Sequence, residues 1–407
     1  MKNLLVIEKN PSGTVGLKKA KEKGINIIYI SENKYNNKLT DKDKEYIDEF
    51  INIDTSNKGI VLEECRKINE NKKISGAVTF LEYRVPMVAE VVKEFGLSGN
   101  SVDTALKTRD KFLMRNALAE GNVPIPKYKS VSSYEELINS VEEIGFPNVI
   151  KPINMAASRN VYKNNNIEEL KEHYESAIKD SPLYGVKKEE SLLLEEYMDG
   201  QEFSVESVTF KGKTTIVCIT KKIVKGKNTF VEVGHVVPAP IEKELEDEIK
   251  EVVRKTIKAL NVENSVTHTE VKATSSGVKV VEIATRLGGD RIPELVEIAL
   301  GIDLWSANLS IALGEEPDLK QSKNNGAAIY FITSNPGKIT SIERTNIKDK
   351  PSYVKDIVIE CKVNDVVTDL NNNSSRLGEI IVSGENAVEA EQNAKKELEK
   401  IKINLEE

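Results

Sequence analysis

Short apolar runs alternate with amphipathic segments through the first hundred residues. Strands are predicted at residues 4–7, 25–30 and 74–80, and helices follow the first and the last of these runs, ending near Gly24 and Gly96. Alternation of strand and helix is typical of a parallel α/β sheet. The chain is therefore expected to begin with a parallel α/β domain.

The pattern changes after residue 100. A helix is predicted over about residues 103–119, and strands over residues 148–152 and 191–198. Two hairpins follow, one around Lys211-Gly212 and one around Ser275-Ser276-Gly277. Beyond residue 326 the pattern gives further strands and a final helix, with few polar clusters of a kind that binds ligands.

Composition excludes several classes of protein. The 407 residues are too many for one ordinary core and predict two to four domains. The net charge is −7 and no basic tract stands out, which argues against a nucleic-acid partner. Three scattered cysteines show no metal spacing and are expected to be free thiols. No apolar run has the length of a membrane span or a signal peptide, so a cytoplasmic protein without a membrane partner is expected.

The second hairpin carries a candidate metal site. If Ser276 is the middle of its turn, opposite residues have numbers that sum to 552, which places Glu270 across from Glu282. Facing carboxylates repel each other, and a magnesium ion between them removes the repulsion. Arg286 follows on the same face and is able to reach an anion held by the metal. The alternative is an amphipathic hairpin whose glutamates lie on a solvated face.

Other residues match the needs of a nucleotide. Gly288 and Gly289 follow Arg286 in a turn that exposes backbone N–H groups suited to an anion. An apolar strand ends in Glu195-Glu196-Tyr197-Met198, and Glu202 begins the next strand. Backbone groups near Met198 are suited to adenine, and a carboxylate at Glu202 accepts hydrogen bonds from ribose hydroxyls. The alternative is an ordinary strand–turn–strand.

In chain order these segments resemble the ATP-grasp superfamily. The segments are Asp110-Lys111 with Met114-Arg115, Lys151-Pro152, Glu195 to Glu202, and Glu270 with Glu282 and Arg286. The resemblance implies an α/β fold with an α+β core: an N-terminal parallel domain over 1–99, an ATP-grasp core over 100–313 with a mobile lid at about 123–190, and a small C-terminal domain over 314–407. The tail resembles that of biotin-carboxylase-like members at Arg376-Leu377-Gly378 and Gly384.

The resemblance also implies roles for individual residues. ATP would be bound by Lys111, Lys151, Ser158, Glu195, Glu196, Tyr197, Met198 and Glu202. One or two Mg²⁺ ions, or Mn²⁺, would be held by Glu270 and Glu282. Arg286 and the Gly289 N–H would act on the reacting phosphate and the oxyanion.

Two segments are similar to the L-amino acid ligases within the superfamily. One runs from Phe230 to His235 and precedes Pro238-Ala239-Pro240, and the other is His268-Thr269-Glu270. This similarity implies an ATP-dependent ligase that joins amino acids through an acyl phosphate, with Glu232, His235 and His268 at the amino acid site. A monomer or a homodimer is expected. The alternatives are a biotin-carboxylase-like enzyme acting on bicarbonate and a nucleotide-binding regulator without turnover.

Two departures from the superfamily pattern affect the expected site. Ala284 stands where the superfamily has an asparagine metal ligand, so a second metal has one protein ligand fewer. The segment after Lys151-Pro152, residues 154–160, lacks the glycines of the usual lid loop. Ser158 and the local backbone are expected to cover the phosphates in their place.

Overall fold

The computed structural model describes residues 2–32, 39–156, 158–178, 191–226, 228–344 and 351–406. Its N-terminal region alternates strands and helices: β1 (Asn3–Lys9), α1 (Gly13–Glu22), β2 (Asn26–Ser31), α2 (Asp41–Tyr46), β3 (Glu49–Asn52), α3 (Lys58–Asn71), β4 (Ile74–Phe80), a 3-10 turn (Glu82–Arg84) and α4 (Val85–Phe95). The strands form a parallel sheet in the order β3-β2-β1-β4, which confirms the α/β prediction. Residues 4–7 are buried on both faces of this sheet, which explains their continuous apolar run.

Two short helices connect this region to the core. They are α5 (Val102–Lys107) and α6 (Lys111–Glu120). The prediction of one helix over 103–119 is therefore wrong, because the helix is interrupted between Lys107 and Lys111. The Asp110 carboxylate accepts hydrogen bonds from the N–H groups of Phe112 and Leu113 and caps α6. Lys111 is consequently the first residue of a new helix.

A small α/β unit follows, in the region predicted as the lid. It contains β5 (Tyr128–Val131), α7 (Tyr134–Ile144), β6 (Asn148–Pro152), β7 (Tyr162–Asn164), α8 (Ile167–Ile178) and β8 (Leu192–Glu196). Its antiparallel sheet has the order β5-β8-β6-β7. Residues 179–190 of the predicted lid lie outside the described residues.

The remaining chain forms a large antiparallel sheet with helices packed against it. Its elements are β9 (Gln201–Phe210), β10 (Lys213–Lys225), β11 (Val231–Val237), α9 (Lys243–Ala259), β12 (Ser265–Thr274), β13 (Gly277–Ala284), α10 (Ile292–Leu300), α11 (Leu304–Ala312), β14 (Gly326–Ile332), β15 (Gly337–Arg344), β16 (Val354–Ile359), β17 (Val366–Val367), β18 (Gly378–Gly384), α12 (Ala387–Leu398) and β19 (Ile401–Leu405). Eight strands lie in the order β13-β12-β9-β10-β11-β14-β18-β16, and β17-β15-β19 form a separate small sheet.

The large sheet continues across the expected boundary between the core and the C-terminal domain. Strand β11 pairs with β14 of the C-terminal region, with Gly234 opposite Tyr330. Hydrogen-bonded strands hold a fixed register, so β14 and the C-terminal residues paired with it have fixed positions relative to β11 of the core. In the described part of the chain no single helix has both the length and the apolar character to cross a membrane; α10 and α11 satisfy that test only as a pair bent by 111°.

The hairpin of β12 and β13 places Glu270 opposite Glu282, and this confirms the predicted pair. The predicted turn is wrong. Thr274 pairs with Gly277, so the turn consists of two residues and Ser276 is not its centre. From the turn alone, the numbers of opposite residues would sum to 551, and the two glutamates would not face each other.

A β-bulge restores the predicted register. The register shifts between Glu270 and Val271, where the partner strand contributes Val281 as one extra residue. The Val281 carbonyl accepts a hydrogen bond of 2.7 Å from the Arg115 guanidinium, and the Val280 N–H donates to the Pro124 carbonyl. Helix α6 and the segment that follows it therefore hold the bulge beside the glutamates.

Candidate active site

One cavity of about 630 Å³ is lined by every residue to which sequence analysis gave a role at the site. The large sheet, the lid unit and the turn after β4 all contribute to its walls. The predicted residues that line the cavity are Lys111, Lys151, Ser158, Glu195, Glu196, Tyr197, Met198, Glu202, Glu232, His235, His268, Glu270, Glu282, Arg286 and Gly289. Their separate roles stay predictions, and their contacts decide what each is able to do.

The two phosphate-site lysines are buried and paired with carboxylates. The Lys111 ammonium lies 3.2 Å from the Glu282 carboxylate, and it also donates to the Met155 carbonyl at 2.7 Å. The Lys151 ammonium lies 2.6 Å from Glu195. Carboxylate partners offset the cost of burying the two charges and fix the positions of the ammonium groups before a phosphate arrives.

Glu195 is the centre of a buried ion-pair group. One of its oxygens contacts Lys151, and the other accepts a 2.6 Å hydrogen bond from Arg115. Burial alone would raise the pKa of Glu195, but Arg115 and Lys151 outweigh burial and lower this pKa to about 2. Because both of its oxygens are engaged, Glu195 orients Lys151 in this structure. Glu196, Tyr197 and Met198, also predicted to bind adenine, line the cavity beside it.

The N-terminal region orients Arg286. Glu82, in the 3-10 turn after β4, accepts a 2.9 Å hydrogen bond from the Arg286 Nε and another of 2.9 Å from Arg109. Burial raises the pKa of Glu82, but the two guanidinium groups outweigh burial and lower it to about 2. Arg286 is therefore held by an ionised carboxylate that comes from a different domain.

The facing glutamates offer hard oxygen ligands that suit magnesium. Both side chains are 24% exposed and line the cavity, and each has a nearby cation: Lys222 lies 2.9 Å from Glu270, and Lys111 lies 3.2 Å from Glu282. Burial opposes ionisation of Glu270, but Lys222 and His268 outweigh burial and hold its pKa well below the ordinary value. A pair of carboxyl groups that lines this cavity is a donor set of the kind that Mg²⁺ accepts.

His268 lies behind Glu270. Its Nδ1 is 2.7 Å from the buried Glu206 carboxylate and its Nε2 is 3.4 Å from Glu270. Burial would lower the pKa of His268, but the two glutamates raise it to about 10, so the ring is a cation at neutral pH. A side chain at Gly288 would collide with this pair, because its Cβ would lie 2.9 Å from the imidazole and 3.0 Å from Glu206. The residue opposite His268 on β13 is Ala284, whose side chain supplies no oxygen ligand for a metal.

A second cluster lines the same cavity. Donor atoms of Glu232, His235 and Asp290 lie within 4.8 Å of one another. Asp290 is 3.1 Å from the His235 Nε2 and accepts hydrogen bonds of 2.7 and 2.8 Å from Arg376. His235 and Arg376 hold the pKa of Asp290 low against the effect of burial, whereas burial and Asp290 raise the pKa of Glu232. Acceptor oxygens in this arrangement suit an ammonium or amine group.

The C-terminal region contributes residues that sequence analysis missed. The Asn373 side chain donates to Glu232 at 2.9 Å and accepts from the Glu232 N–H at 3.1 Å. Arg376 also lies over the Phe331 ring at 3.7 Å. Asn372 and Ser374 line the cavity as well. The region, expected to have few ligand-type clusters, thus contributes one group of polar residues to the cavity.

Backbone strain marks the loop beside the second cluster. Asp290 has φ 50° and Arg291 has φ 57°, so two consecutive residues with side chains adopt the left-handed conformation before α10. Such residues cost about 1–2 kcal/mol each. The ion pairs of Asp290 with Arg376, and of Arg291 with Asp356 and Glu379, hold them in place.

Aromatic rings and a further lysine lie beside the residues predicted to bind adenine and ribose. Tyr197 stacks on Phe230 with ring centroids 6.5 Å apart, and Lys272 lies 5.3 Å from each ring. Lys272 also donates to the Met198 carbonyl at 3.3 Å and lies 3.8 Å from Glu202. Glu202 lines the cavity at the start of β9, just after the turn at Gly200 that follows β8.

In the loop after Lys151-Pro152, two residues with side chains adopt the left-handed backbone conformation that favours glycine. Ser158 has φ 54° and Asn160 has φ 55°. Asparagine tolerates this conformation better than most residues, and serine less well. Ser158 and Arg159 line the cavity, so the loop lies where the predicted phosphate cover should be.

Signals for two missed residues are present in the sequence. Glu82 follows the apolar run of β4, and the carboxyl end of a parallel strand is a common place for ligand-side residues. Lys222 alternates with Thr220 and Cys218, which face the same side of β10 as the buried Glu206 of β9. Alternation places Lys221 and Lys222 on opposite sides of β10, but it does not show which side faces the site, and for that reason Lys222 was missed.

Comparisons with known proteins agree with this geometry. Three family models match the chain: the ATP-grasp N-terminal domain over residues 17–99, the ATP-grasp domain over 144–294, and the L-amino acid ligase C-terminal domain 2 over 330–406. An L-arginine-specific L-amino acid ligase from Bacillus subtilis is 25% identical over 73% of this chain and 72% of its own length. The uncharacterized protein y4rH of Sinorhizobium fredii is 27% identical over 72% of this chain, which spans only 61% of that relative.

The fold has a close solved counterpart. The crystal structure of an L-amino acid ligase from Bacillus licheniformis superposes with a TM-score of 0.83 over 100% of this chain and 99% of that one, at 19% identity. At this identity the likeness establishes the fold. The three family models, which match separate parts of the chain, assign to it an ATP-grasp N-terminal domain, an ATP-grasp domain and a C-terminal domain of the L-amino acid ligase type.

Proposed function

We propose that this protein is an ATP-dependent carboxylate–amine ligase that joins the carboxylate of one L-amino acid to the amine of a second. The observation that carries the proposal is that one cavity is lined both by a group of cations and by a group of acceptor oxygens. Lys111, Lys151 and Arg286 form the cationic group, called here the nucleotide end, and Glu232 and Asp290 supply the acceptor oxygens of what is called the amine end. The names of the relatives support amino acids as substrates.

The proposed reaction has two steps. An oxygen of the substrate carboxylate attacks the γ-phosphorus of ATP, the bond to the β-phosphate oxygen breaks, and ADP and an acyl phosphate result. The amine nitrogen of the second substrate then attacks the acyl carbon, the bond to the phosphate oxygen breaks, and the nitrogen loses a proton. The lysines and Arg286 stabilise the charge that develops on the transferred phosphoryl group, and Arg286 with the Gly289 N–H stabilises the tetrahedral oxyanion.

Glu270 and Glu282 would hold the magnesium that the superfamily uses, and the bound ion would offset phosphate charge during transfer. Because Ala284 supplies no oxygen, we propose one well-held ion and a second with fewer protein ligands; Mn²⁺ is an alternative of similar ligand preference. The proposed roles of the lysines do not depend on how many metal ions bind or on which metal it is.

The enclosing walls fit a reactive intermediate. An acyl phosphate hydrolyses when water reaches it, so the reaction needs a covered site. The lid unit bears Lys151 and the loop with Ser158, and both line the cavity. We propose that this unit closes over bound ATP.

The direct experiment measures phosphate release with ATP, magnesium and each of the twenty amino acids, singly and in pairs. A ligase releases phosphate only with a productive pair, and mass spectrometry then detects the condensed product. Release that depends on bicarbonate alone would support a biotin-carboxylase-like activity instead. No release under any of these conditions would contradict the proposal and favour a nucleotide-binding regulator.

A further inference from the structure

A single buried lysine lies between three carboxylates that belong to different parts of the candidate site. Lys222 is on β10, and its side chain is 2% exposed. Its ammonium lies 2.6 Å from Glu202, 2.6 Å from Glu232 and 2.9 Å from Glu270. An ammonium has three N–H donors, so each carboxylate has one donor available.

The three carboxylates have the arrangement of a cation site. One oxygen of each lies within 4.8 Å of an oxygen of the other two. Carboxylate oxygens at such distances repel one another unless a cation lies among them, and hard divalent cations accept this donor set. In this protein the cation is supplied by the chain itself.

The three carboxylates also lie on three different strands. Glu202 is on β9, Glu232 is on β11 and Glu270 is on β12. Strand β10 lies between β9 and β11 in the sheet, so a long side chain on β10 is able to reach all three. A shorter residue at this position would leave three half-buried charges without their shared partner, which is costly.

We infer that Lys222 is a built-in cation that positions Glu202, Glu232 and Glu270 together and keeps divalent metal ions out of the cluster they form. The roles of the three glutamates rest on the proposed function: ribose, amine and magnesium, respectively. Lys222 is a positioning residue, since it acts through these carboxylates. The positions of the proposed ribose, metal and amine ligands therefore all depend on one ammonium group.

The neighbouring Lys221 is a matched control. It points to the opposite side of the same strand, where it forms an ion pair of 3.0 Å with Glu391 of α12. Removing Lys221 also deletes one lysine and one ion pair from β10. It leaves the three-carboxylate cluster intact, and Lys221 has no proposed role in binding or catalysis.

The test measures Mn²⁺ binding by electron paramagnetic resonance, in the absence of nucleotide and amino acids. The Lys222→Ala variant is expected to bind one Mn²⁺ per chain more than the wild type, because the carboxylates regain an empty cation position. Lys221→Ala is expected to match the wild type. The double variant Lys222→Ala with Glu232→Gln should lose the additional ion, which assigns that ion to this cluster.

Equal Mn²⁺ stoichiometry in Lys222→Ala and the wild type would overturn the inference. If the alanine variant does not fold, Lys222→Met keeps the side-chain stem and gives the same readout. Lys222→Arg keeps the charge and is expected to bind no additional ion. These measurements do not require turnover, so they stand even if no amino acid pair releases phosphate and the proposed function fails.

Kinetics give a second readout if the ligase activity is found. Lys222→Met is expected to raise KM for ATP and KM for the amine substrate together, each by about tenfold, since one charge-assisted contact is lost at each site. Lys221→Met should leave both values unchanged. A rise in only one of the two KM values would contradict shared positioning.

Discussion

The nucleotide end and the amine end of the cavity are built in different ways. The nucleotide end uses residues from the lid and the core, such as Lys111, Lys151 and Glu202, each beside a recognisable local pattern. The amine end joins β11 to the segment at 372–376, and Glu232 and its partner Asn373 lie 141 positions apart. Both sites depend on contacts between distant positions, since Lys111 and Glu282 lie 171 positions apart. Local sequence predicted the residues of the first site but missed Asn373 in the second.

The largest expected effect belongs to the nucleotide end. Glu282→Gln removes one charge from the facing pair and leaves the buried Lys111 without its carboxylate partner. We expect ADP formation to fall by about 10⁴-fold, equivalent to about 5.5 kcal/mol, with the protein still folded. Steady-state ADP release measures this change. Near-normal turnover would contradict the metal assignment and remove the main difference between the two ends.

Glu195→Gln tests whether the ion pairs of the nucleotide end also stabilise the fold. The variant leaves Lys151 and Arg115 as buried cations without an anion, so the free energy of unfolding should fall by about 3–5 kcal/mol at pH 7. Urea denaturation measures the loss. Glu143→Gln is the control, because its ion pair with Lys129 is exposed and should contribute less than about 1 kcal/mol.

The stability contributed by Glu195 should also depend on pH. The folded-state pKa of Glu195 is lowered from 4.5 to about 2 by Arg115 and Lys151, which outweigh burial. The contribution is therefore full above pH 4.5 and is lost as the pH falls through 2. The difference in urea midpoint between wild type and Glu195→Gln should shrink over that window. A difference that stays constant down to pH 2 would contradict the ion-pair account.

Sequence reasoning found the cavity but only part of its support. The Glu270–Glu282 pair was predicted by counting opposite residues from an assumed turn centre at Ser276. The pairing is correct although the turn centre is not, because the bulge at Val281 shifts the register by one residue. A bulge depends on tertiary partners such as Arg115, which the local pattern does not contain. Contacts from Glu82 and Asn373 cross domain boundaries, and no spacing along the chain encodes them.

A smaller effect is expected at the amine end. Asn373→Ala removes the amide that holds Glu232. We expect KM for the amine substrate to rise by about tenfold and KM for ATP to stay unchanged, since one hydrogen bond to a charged group is lost. Asn371→Ala is the control, because this nearby side chain is exposed. Equal changes in both KM values would show that the two ends are not separate.

The smallest effect is expected in the lid loop. Ser158→Gly removes the cost of a left-handed serine and adds freedom to the unfolded chain, so the free energy of unfolding should change by less than about 1 kcal/mol. KM for ATP should change by less than about threefold if the backbone covers the phosphates. Asn160→Gly, at nearly the same φ, is the matched control. A much larger rise for Ser158→Gly alone would assign a contact to the hydroxyl.

Oxygen transfer tests the acyl phosphate most directly. The donor amino acid is supplied with both carboxylate oxygens as ¹⁸O, and the released phosphate is examined by mass spectrometry under single-turnover conditions. Because the carboxylate oxygen stays with phosphorus when the amine displaces phosphate, the account predicts one ¹⁸O atom in each phosphate. Unlabelled phosphate, or label found in AMP, would contradict it.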